Sequence, residues 1–83
     1  MNPDLPEAHL YIALGKALRS LRDRSGLTQV EAGKRANIRA TFISQIENGS
    51  RGMRFHTLIA LLDSYNADLA DLATGYKKAT GEL

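Results

Sequence analysis

Apolar residues recur along the first third of the chain at the spacing of an α-helix. Four leucines follow one another at intervals of four, four and three: Leu10, Leu14, Leu18 and Leu21. This spacing places them on one face of a helix and leaves the opposite face polar. The Ser25-Gly26 pair then interrupts the pattern, so the sequence predicts a first amphipathic helix over about residues 7–24.

A second, shorter helix is predicted from a capping pattern. Thr28 stands three residues before Glu31, and at this spacing the hydroxyl and the carboxylate bind free backbone amides at a helix start. The predicted helix covers about residues 29–36. Asn37 follows it and can adopt the left-handed backbone conformation that ends a helix.

A third helix is predicted to begin near Ala40 and carries a narrow apolar stripe. Ile43 and Ile46 are three residues apart, and Asn48-Gly49 closes the segment. The other face carries uncharged Thr, Ser and Gln side chains, which donate and accept hydrogen bonds. Such a face suits binding to a polar partner, although solvated residues of a small helix can have the same composition.

The remainder of the chain predicts two further helices and a short tail. The fourth helix covers about residues 55–65 and is stopped by Asn66. Asp68 caps a fifth helix, which is predicted to end at Gly75. Residues 76–83 are expected to fray as a C-terminal tail. Because no strand pattern or repeat occurs, we expect an all-α, compact five-helix bundle.

The composition bounds the size and the chemistry of the molecule. With 83 residues the chain forms one domain, predicted to cover residues 1–75 and to include an N-terminal extension of the first helix. The absence of cysteine excludes a disulfide framework and a thiolate metal site. His9 and His56 are far apart, without clustered carboxylates or a nucleophile motif. We therefore expect no metal, no cofactor and no enzymatic activity.

The net charge of +2 is unevenly distributed. Residues 1–54 contain nine Lys/Arg and five Asp/Glu, whereas residues 55–83 contain two and four. A basic first part suits a module that faces a polyanion, although a difference of this size also occurs on ordinary solvated surfaces. The N-terminus lacks the pattern of a signal peptide and no stretch is apolar enough for a membrane span, so we expect a cytoplasmic protein without membrane contact.

Three motifs together carry a resemblance to a known family. They are LRDRSGLTQ at residues 21–29, TFIS at residues 41–44 and IENG at residues 46–49. With them, the segment from Leu14 to Leu72 resembles the helix-turn-helix domain of the Cro/phage-repressor (XRE-type) family. The resemblance implies a lambda-repressor-like DNA-binding domain. It also implies an ion pair between Arg22 and Glu47 that joins the first and third helices.

Five positions depart from the pattern of this family, and two of them, Ala32 and Ala36, are smaller than the apolar residues usual there. Gly33 stands where a small residue, commonly alanine, is usual. It should weaken the second helix by up to ~1 kcal/mol while permitting close approach of the third. Asn37 and Asn66 stand where glycine is common, and both can adopt the left-handed conformation that a helix end requires.

In this family the third helix lies in the major groove and its first turns contact base edges. The resemblance therefore implies five base-contacting candidates: Arg39, Ala40, Thr41, Ser44 and Gln45. Gln45 can pair with adenine through two hydrogen bonds, and the Thr41 methyl can pack on thymine. Four candidates for phosphate contacts flank the helix: Gln29, Asn48, Arg51 and Arg54. Phe42 either packs in the core or lies against a thymine methyl.

The fourth helix carries more apolar residues than one core needs, because they extend beyond a face of roughly 100°. Some of them should therefore face outward and join two copies of the chain. The predicted dimer contacts lie on the fourth and fifth helices: Ile59, Leu62, Leu69 and Leu72. The alternative is that these residues complete the core of the monomer.

Two functions of different classes fit these residues. The first is a sequence-specific transcription regulator, similar to a controller protein or a phage-type repressor, that binds a pseudo-palindromic operator in double-stranded DNA as a homodimer. RNA polymerase is a further partner that such a regulator could contact. The second is an antitoxin that binds a toxin, with the C-terminal tail as a candidate toxin-binding segment, and regulates its own operon.

Overall fold

The computed structural model describes residues 7–82, which form five α-helices. They are α1 (Glu7–Ser25), α2 (Gln29–Ala36), α3 (Ala40–Glu47), α4 (Phe55–Ser64) and α5 (Leu69–Gly81). No strand occurs in this part of the chain, and the predicted all-α bundle is confirmed. The part of the predicted N-terminal extension that precedes residue 7 lies outside the described residues.

The capping residues adopt the conformations that the sequence predicts. The Thr28 hydroxyl accepts a hydrogen bond from the Glu31 amide at 3.1 Å, and the Glu31 carboxylate accepts one from the Thr28 amide at 3.0 Å. These bonds hold the pKa of the Glu31 carboxyl below its ordinary value. Asn37 and Asn66 both have a left-handed φ of 57°. α2 has its predicted bounds, and α1 and α4 differ from theirs by one residue.

α1 is the central helix and packs against α5 and α3, while α2 packs against α3 and α4. Their apolar faces meet in one core. The largest fully buried side chains in it are Tyr65, Leu18, Ile43, Ile46, Leu61 and Leu62. Burying a side chain of this size contributes about 1.5–3 kcal/mol. Ile43 and Ile46 therefore anchor α3 to the bundle and leave its other side accessible.

The predicted end of α5 at Gly75 is wrong, and the predicted tail is largely helical. α5 continues through Gly75 to Gly81, and Ala79 is buried with 4% exposure. A Cβ at Gly75 would lie 3.2 Å from the Cβ of Ala17 in α1. The small size of the glycine, which permits close packing of the two helices, explains its position. Residues 76–81 consequently belong to the bundle.

The structure also corrects two of the predicted dimer contacts. Leu62 and Leu72 lie in the core with 1% and 7% exposure, so they complete the core of the monomer and offer a partner almost no surface. Leu69 is 48% exposed, and Ile59 is half-buried beside the core. Both line a groove of about 450 Å³ at the α4–α5 connection. These two residues remain as candidates for dimer contacts.

Candidate nucleic-acid interface

A tight turn connects α2 to α3. The amides of Asn37 and Ile38 both donate to the carbonyl of Gly33, which closes the end of α2. A Cβ at Gly33 would overlap the carbonyl oxygen of Ile38, so in this chain the turn lies too close to α2 for a side chain here unless the backbone shifts. The sequence predicts close approach of α3 at Gly33, and the structure shows that the turn leading into α3 makes the approach. Backbone contacts thus determine where α3 begins.

α3 has one buried side and one accessible side. Ile43 and Ile46 are 0% and 1% exposed, and Glu47 is buried beside them. The five predicted base-contacting residues reach solvent to different degrees. Exposed among them are Arg39, Thr41 and Gln45, and partly buried are Ala40 and Ser44. A partner could therefore reach α3 from the side that carries these polar groups.

Arg22 and Glu47 form a buried ion pair between α1 and α3. The two carboxylate oxygens of Glu47 lie 2.6 Å from Arg22 Nε and 2.9 Å from Nη2. Arg22 Nη1 also donates to the carbonyl of Leu27 at 2.8 Å. The hydrogen bonds to Glu47 raise the pKa of the Arg22 guanidinium above its ordinary value. This pair holds the C-terminal end of α3 on α1.

Two of the predicted phosphate-contacting residues also hold the fold together. Gln29 Nε2 donates to Glu47 Oε1 at 3.0 Å, which leaves one side-chain hydrogen of Gln29 for a ligand. Asn48 Oδ1 accepts a hydrogen bond from the Ser50 amide at 2.9 Å, which leaves the NH₂ group of Asn48 for other partners. The sequence pattern does not indicate either of these structural contacts.

The chain reverses direction directly after α3. Gly49 has a left-handed φ of 78°, a conformation that glycine adopts without steric cost. The Ser50 amide donates to the Gln45 carbonyl at 3.0 Å, and the Gly49 amide donates to the Ile46 carbonyl at 3.1 Å. These two bonds are those of the Schellman motif at a helix C-terminus. The reversal brings the next residue, Arg51, beside α3.

Arg51 contacts two side chains of α3. Its Nη1 donates to Gln45 Oε1 at 3.1 Å, and its guanidinium carbon lies 4.2 Å from the centroid of the Phe42 ring. Phe42 is also packed against the core, so the first of its two predicted roles is observed. The contact between Arg51, Gln45 and Phe42 could not be predicted from helical spacing, because it depends on the reversal after α3.

The remaining two candidates are arginines at helix starts. Arg39 and Arg54 occupy the N-cap positions of α3 and α4, and both are exposed. The N-terminus of a helix carries a partial positive charge and free amides. The two guanidinium groups add full positive charges at these places, so this surface favours an anionic partner.

Gly15 is a structural residue that sequence patterns do not identify. A Cβ at this position would lie 2.6 Å from the carbonyl oxygen of Glu47 and would overlap that of Ile46. The absence of a side chain at Gly15 therefore lets α1 and α3 cross closely next to the Arg22 ion pair. A single glycine within a predicted helix gives no sign of such a contact, because the contact depends on a helix elsewhere in the chain.

Metal and membrane sites were also sought in the structure. Over residues 7–82, no group of three or more metal-ligating side chains is placed to hold an ion. None of the helices in this part of the chain combines the length and the apolar character needed to cross a membrane.

Known proteins share this architecture. A family model described as a helix-turn-helix domain matches residues 13–74. Two solved structures of the clp gene regulator ClgR from Corynebacterium glutamicum are similar to the chain, each with 27% sequence identity. One has a TM-score of 0.85 and covers 93% of this chain and 82% of its own. The other has a TM-score of 0.79, and its match covers 84% of this chain and 91% of the chain in that structure. A search of curated proteins finds no match.

Proposed function

Because the chain belongs to the helix-turn-helix domain family, we propose that it is a transcription regulator that binds an operator in double-stranded DNA. One observation carries this proposal: the polar side of α3 is accessible, while its other side is anchored by two isoleucines and a buried ion pair. A helix held in this way presents base-contacting groups at a defined angle. The similar solved structures are those of a gene regulator.

The accessible side of α3 has the size and chemistry of a major-groove ligand. An α-helix with its side chains is about 10–12 Å across, and the major groove is about 12 Å wide. Gln45 would pair with adenine, and the Thr41 methyl would contact a thymine methyl. Arg39 would reach a guanine or a phosphate at the start of the helix. These contacts would give the regulator its sequence preference.

Affinity would come from contacts to the DNA backbone on both sides of α3. Gln29 lies at the N-terminus of α2, where helix amides attract a phosphate. The candidates that follow α3 are its C-cap Asn48 and the N-cap of α4, Arg54, and Arg54 contributes a full positive charge. One neutralised phosphate for each Arg54 of a dimer would give a slope of about −2 in a plot of log affinity against log salt.

The proposed regulator is a homodimer joined at the groove beside the α4–α5 connection. Leu69 and Ile59 supply apolar surface to this groove, and dimerisation would remove it from water. Asp63 and Asp68 also line the groove, and their negative charges disfavour contact of this surface with DNA. Two-fold symmetry would place the two copies of α3 about 34 Å apart and require a pseudo-palindromic operator.

The structure favours the regulator over the antitoxin alternative. That alternative uses the C-terminal tail as a candidate toxin-binding segment. Residues 76–81 instead continue α5, and Ala79 is buried against the bundle. A toxin would therefore have to bind a folded helix surface. We propose the regulator for this reason.

Selection of bound duplexes from a random pool tests the proposed function. The expected result is one preferred sequence with two inverted half-sites about 10 base pairs apart. Recovery of no preferred sequence would contradict the proposal.

Sedimentation at micromolar concentration tests the dimer. The wild-type chain is expected to be a dimer, and Leu69→Glu should convert it to a monomer with weaker operator binding. Val30→Glu is the matched control for sedimentation alone, because Val30 is also exposed, at 55%, but lies on α2 and does not line the groove. Its operator binding is not compared, because it lies next to Gln29 in the proposed DNA surface. A wild-type monomer, together with unchanged DNA affinity of Leu69→Glu, would show that this groove is not the interface.

A further inference from the structure

The contact between Arg51 and Gln45 determines which way the Gln45 amide points. Arg51 Nη1 lies 3.1 Å from Gln45 Oε1. A guanidinium group can only donate hydrogen bonds, so the amide atom that faces it must be the oxygen. The NH₂ group of Gln45 therefore points away from Arg51. Without such a neighbour, a glutamine can turn its amide by 180° and exchange the positions of its donor and acceptor.

We propose that Arg51 is a positioning residue that determines which base Gln45 selects, in place of the phosphate contact that the sequence predicts. The proposal rests on the proposed DNA-binding function. With the amide direction set, Gln45 retains a free lone pair on its oxygen and the donors of its NH₂ group. Adenine presents an acceptor, N7, beside the donor on N6, and the oriented amide complements this pair in a single arrangement.

Two features of the chain hold Arg51 in this position. Phe42 and Gln45 are three residues apart on α3, so their side chains are neighbours on the helix surface. The reversal at Gly49, with its Schellman hydrogen bonds, returns the chain toward them. The Arg51 guanidinium then lies on the Phe42 ring while it donates to Gln45. A lysine would keep the charge but lacks the planar guanidinium, which can lie on the Phe42 ring while its edge donates to Gln45.

The test compares two charge-conserving exchanges, Arg51→Lys and the matched control Arg54→Lys. Affinity is measured for the selected operator and for a duplex altered at the base pair whose preference is lost in Gln45→Ala. Arg51→Lys should lower the ratio of the two affinities roughly tenfold, within the range expected for loss of a paired base contact. Arg54→Lys should leave this ratio unchanged.

A combined variant shows whether Arg51 acts through Gln45. In a Gln45→Ala background, Arg51→Lys should have no further effect on the affinity ratio, because the group that it positions is absent. Both lysine variants should keep the melting temperature and the salt dependence of the wild type, so a general loss of structure would be recognised.

The outcomes separate the role of Arg51 from the proposed function. If the wild-type chain prefers its operator and Arg51→Lys keeps the full affinity ratio, the positioning role is overturned and DNA binding stands. If the wild-type chain has no sequence preference, both are overturned. If Arg51→Ala weakens binding to all sequences equally and lowers the magnitude of the salt slope by about 2 per dimer, Arg51 is a phosphate contact.

A measurement without DNA provides a second test on the full chain. The guanidinium protons of Arg51 should be shifted upfield in NMR spectra by the ring current of Phe42, and Phe42→Leu should abolish the shift. Gln45→Ala should alter the same signals, because it removes the acceptor of Arg51. Arg51 signals at their ordinary positions in the wild-type chain would overturn the proposal.

Discussion

α1 makes close contacts with both α3 and α5, and the two contacts differ in their chemistry. A glycine lets the backbones approach in each: Gly15 faces α3, and Gly75 faces α1. The contact with α3 also contains a buried ion pair with N–O distances of 2.6 and 2.9 Å. Two ion pairs in the described residues join α1 to α5 or to its C-cap, Arg24–Asp71 and Lys16–Glu82, and both are 3.8 Å long and more exposed.

The difference shows where the fold uses directional bonds. A guanidinium group and a carboxylate bond well in one relative orientation. The pair therefore restricts the angle between α3 and α1. Exposed ion pairs contribute about 0–1 kcal/mol and orient little. The contact with α5 depends instead on small side chains and apolar burial. Directional bonding is thus concentrated at the helix that we propose presents side chains to DNA.

The largest expected effect comes from removing one member of the buried pair. Glu47→Ala should lower the free energy of unfolding by ~3 kcal/mol or more, because Arg22 would remain buried without its partner. Each 1 kcal/mol corresponds to roughly 4–8 °C in a domain of this size. Thermal unfolding followed by circular dichroism measures the change.

Glu82→Ala is the matched control for this variant. It removes the acidic partner of an exposed pair at the C-cap of α5 and should cost less than about 1 kcal/mol. Equal losses in the two variants would show that buried and exposed pairs contribute alike. This result would contradict the difference between the α1–α3 and α1–α5 contacts.

The two glycines give the next largest contrast. Gly15→Ala should destabilise the chain by about 2 kcal/mol, because the new Cβ meets backbone carbonyls that cannot turn aside. Gly75→Ala should change the stability by less than about 1 kcal/mol, since its Cβ meets only Ala17 at 3.2 Å or more and alanine favours the helix by about 1 kcal/mol. Chemical denaturation measures both variants, and similar losses would contradict the difference in packing.

Tyr65 gives the smallest expected change at neutral pH. It is 2% exposed, and its hydroxyl has no hydrogen-bond partner among the described residues. Tyr65→Phe should therefore change the free energy of unfolding at pH 7 by less than about 1 kcal/mol. A larger loss, measured by urea unfolding, would show that the hydroxyl belongs to the polar contacts around Arg22 and Glu47.

The same residue should contribute to alkaline sensitivity. Burial raises the pKa of Tyr65 from its ordinary value near 10 to about 12. The unfolded chain then loses the proton first, so the stabilisation is present below pH 10 and is lost as the pH rises from about 10 to about 12. Tyr65→Phe should remove this part of the alkaline loss, and urea unfolding at pH 7 and pH 11 measures it. Identical pH dependence in the two proteins would contradict the assignment.

Local signals in the sequence account for most of the helix boundaries. Thr28 and Glu31 cap α2 because the side chain of each accepts a hydrogen bond from the backbone amide of the other. Asn37 ends α2 in the left-handed conformation. Residues next to each boundary therefore determine where α2 begins and ends. Gly75 could not be interpreted in the same way. Glycine occurs both at helix ends and where two helices pack closely. Which of these roles Gly75 has depends on its contact with Ala17, which is far away in the sequence.

The candidate site was predictable in part for a similar reason. The accessible side of α3 follows from helical spacing, and the Arg22–Glu47 pair follows from the family resemblance. The hydrogen bonds of Gln29 and Arg51 depend on the path of the chain between helices. Helical spacing does not predict that path. Leu62 was predicted to contact a partner, with burial in the core as the alternative, and the alternative is observed. A domain this small needs more than one apolar stripe of α4 to fill its core.

Whether α3 selects the DNA sequence is tested most directly by two sets of affinities, those of the wild-type chain and of Gln45→Ala for the selected operator and its single-base-pair variants. Gln45→Ala should lose about 1–3 kcal/mol of binding free energy on the operator and lose preference at one base pair of each half-site. Its salt dependence should remain that of the wild type, since no charge is removed. An equal loss on every sequence would contradict the claim that the accessible side of α3 selects the DNA sequence.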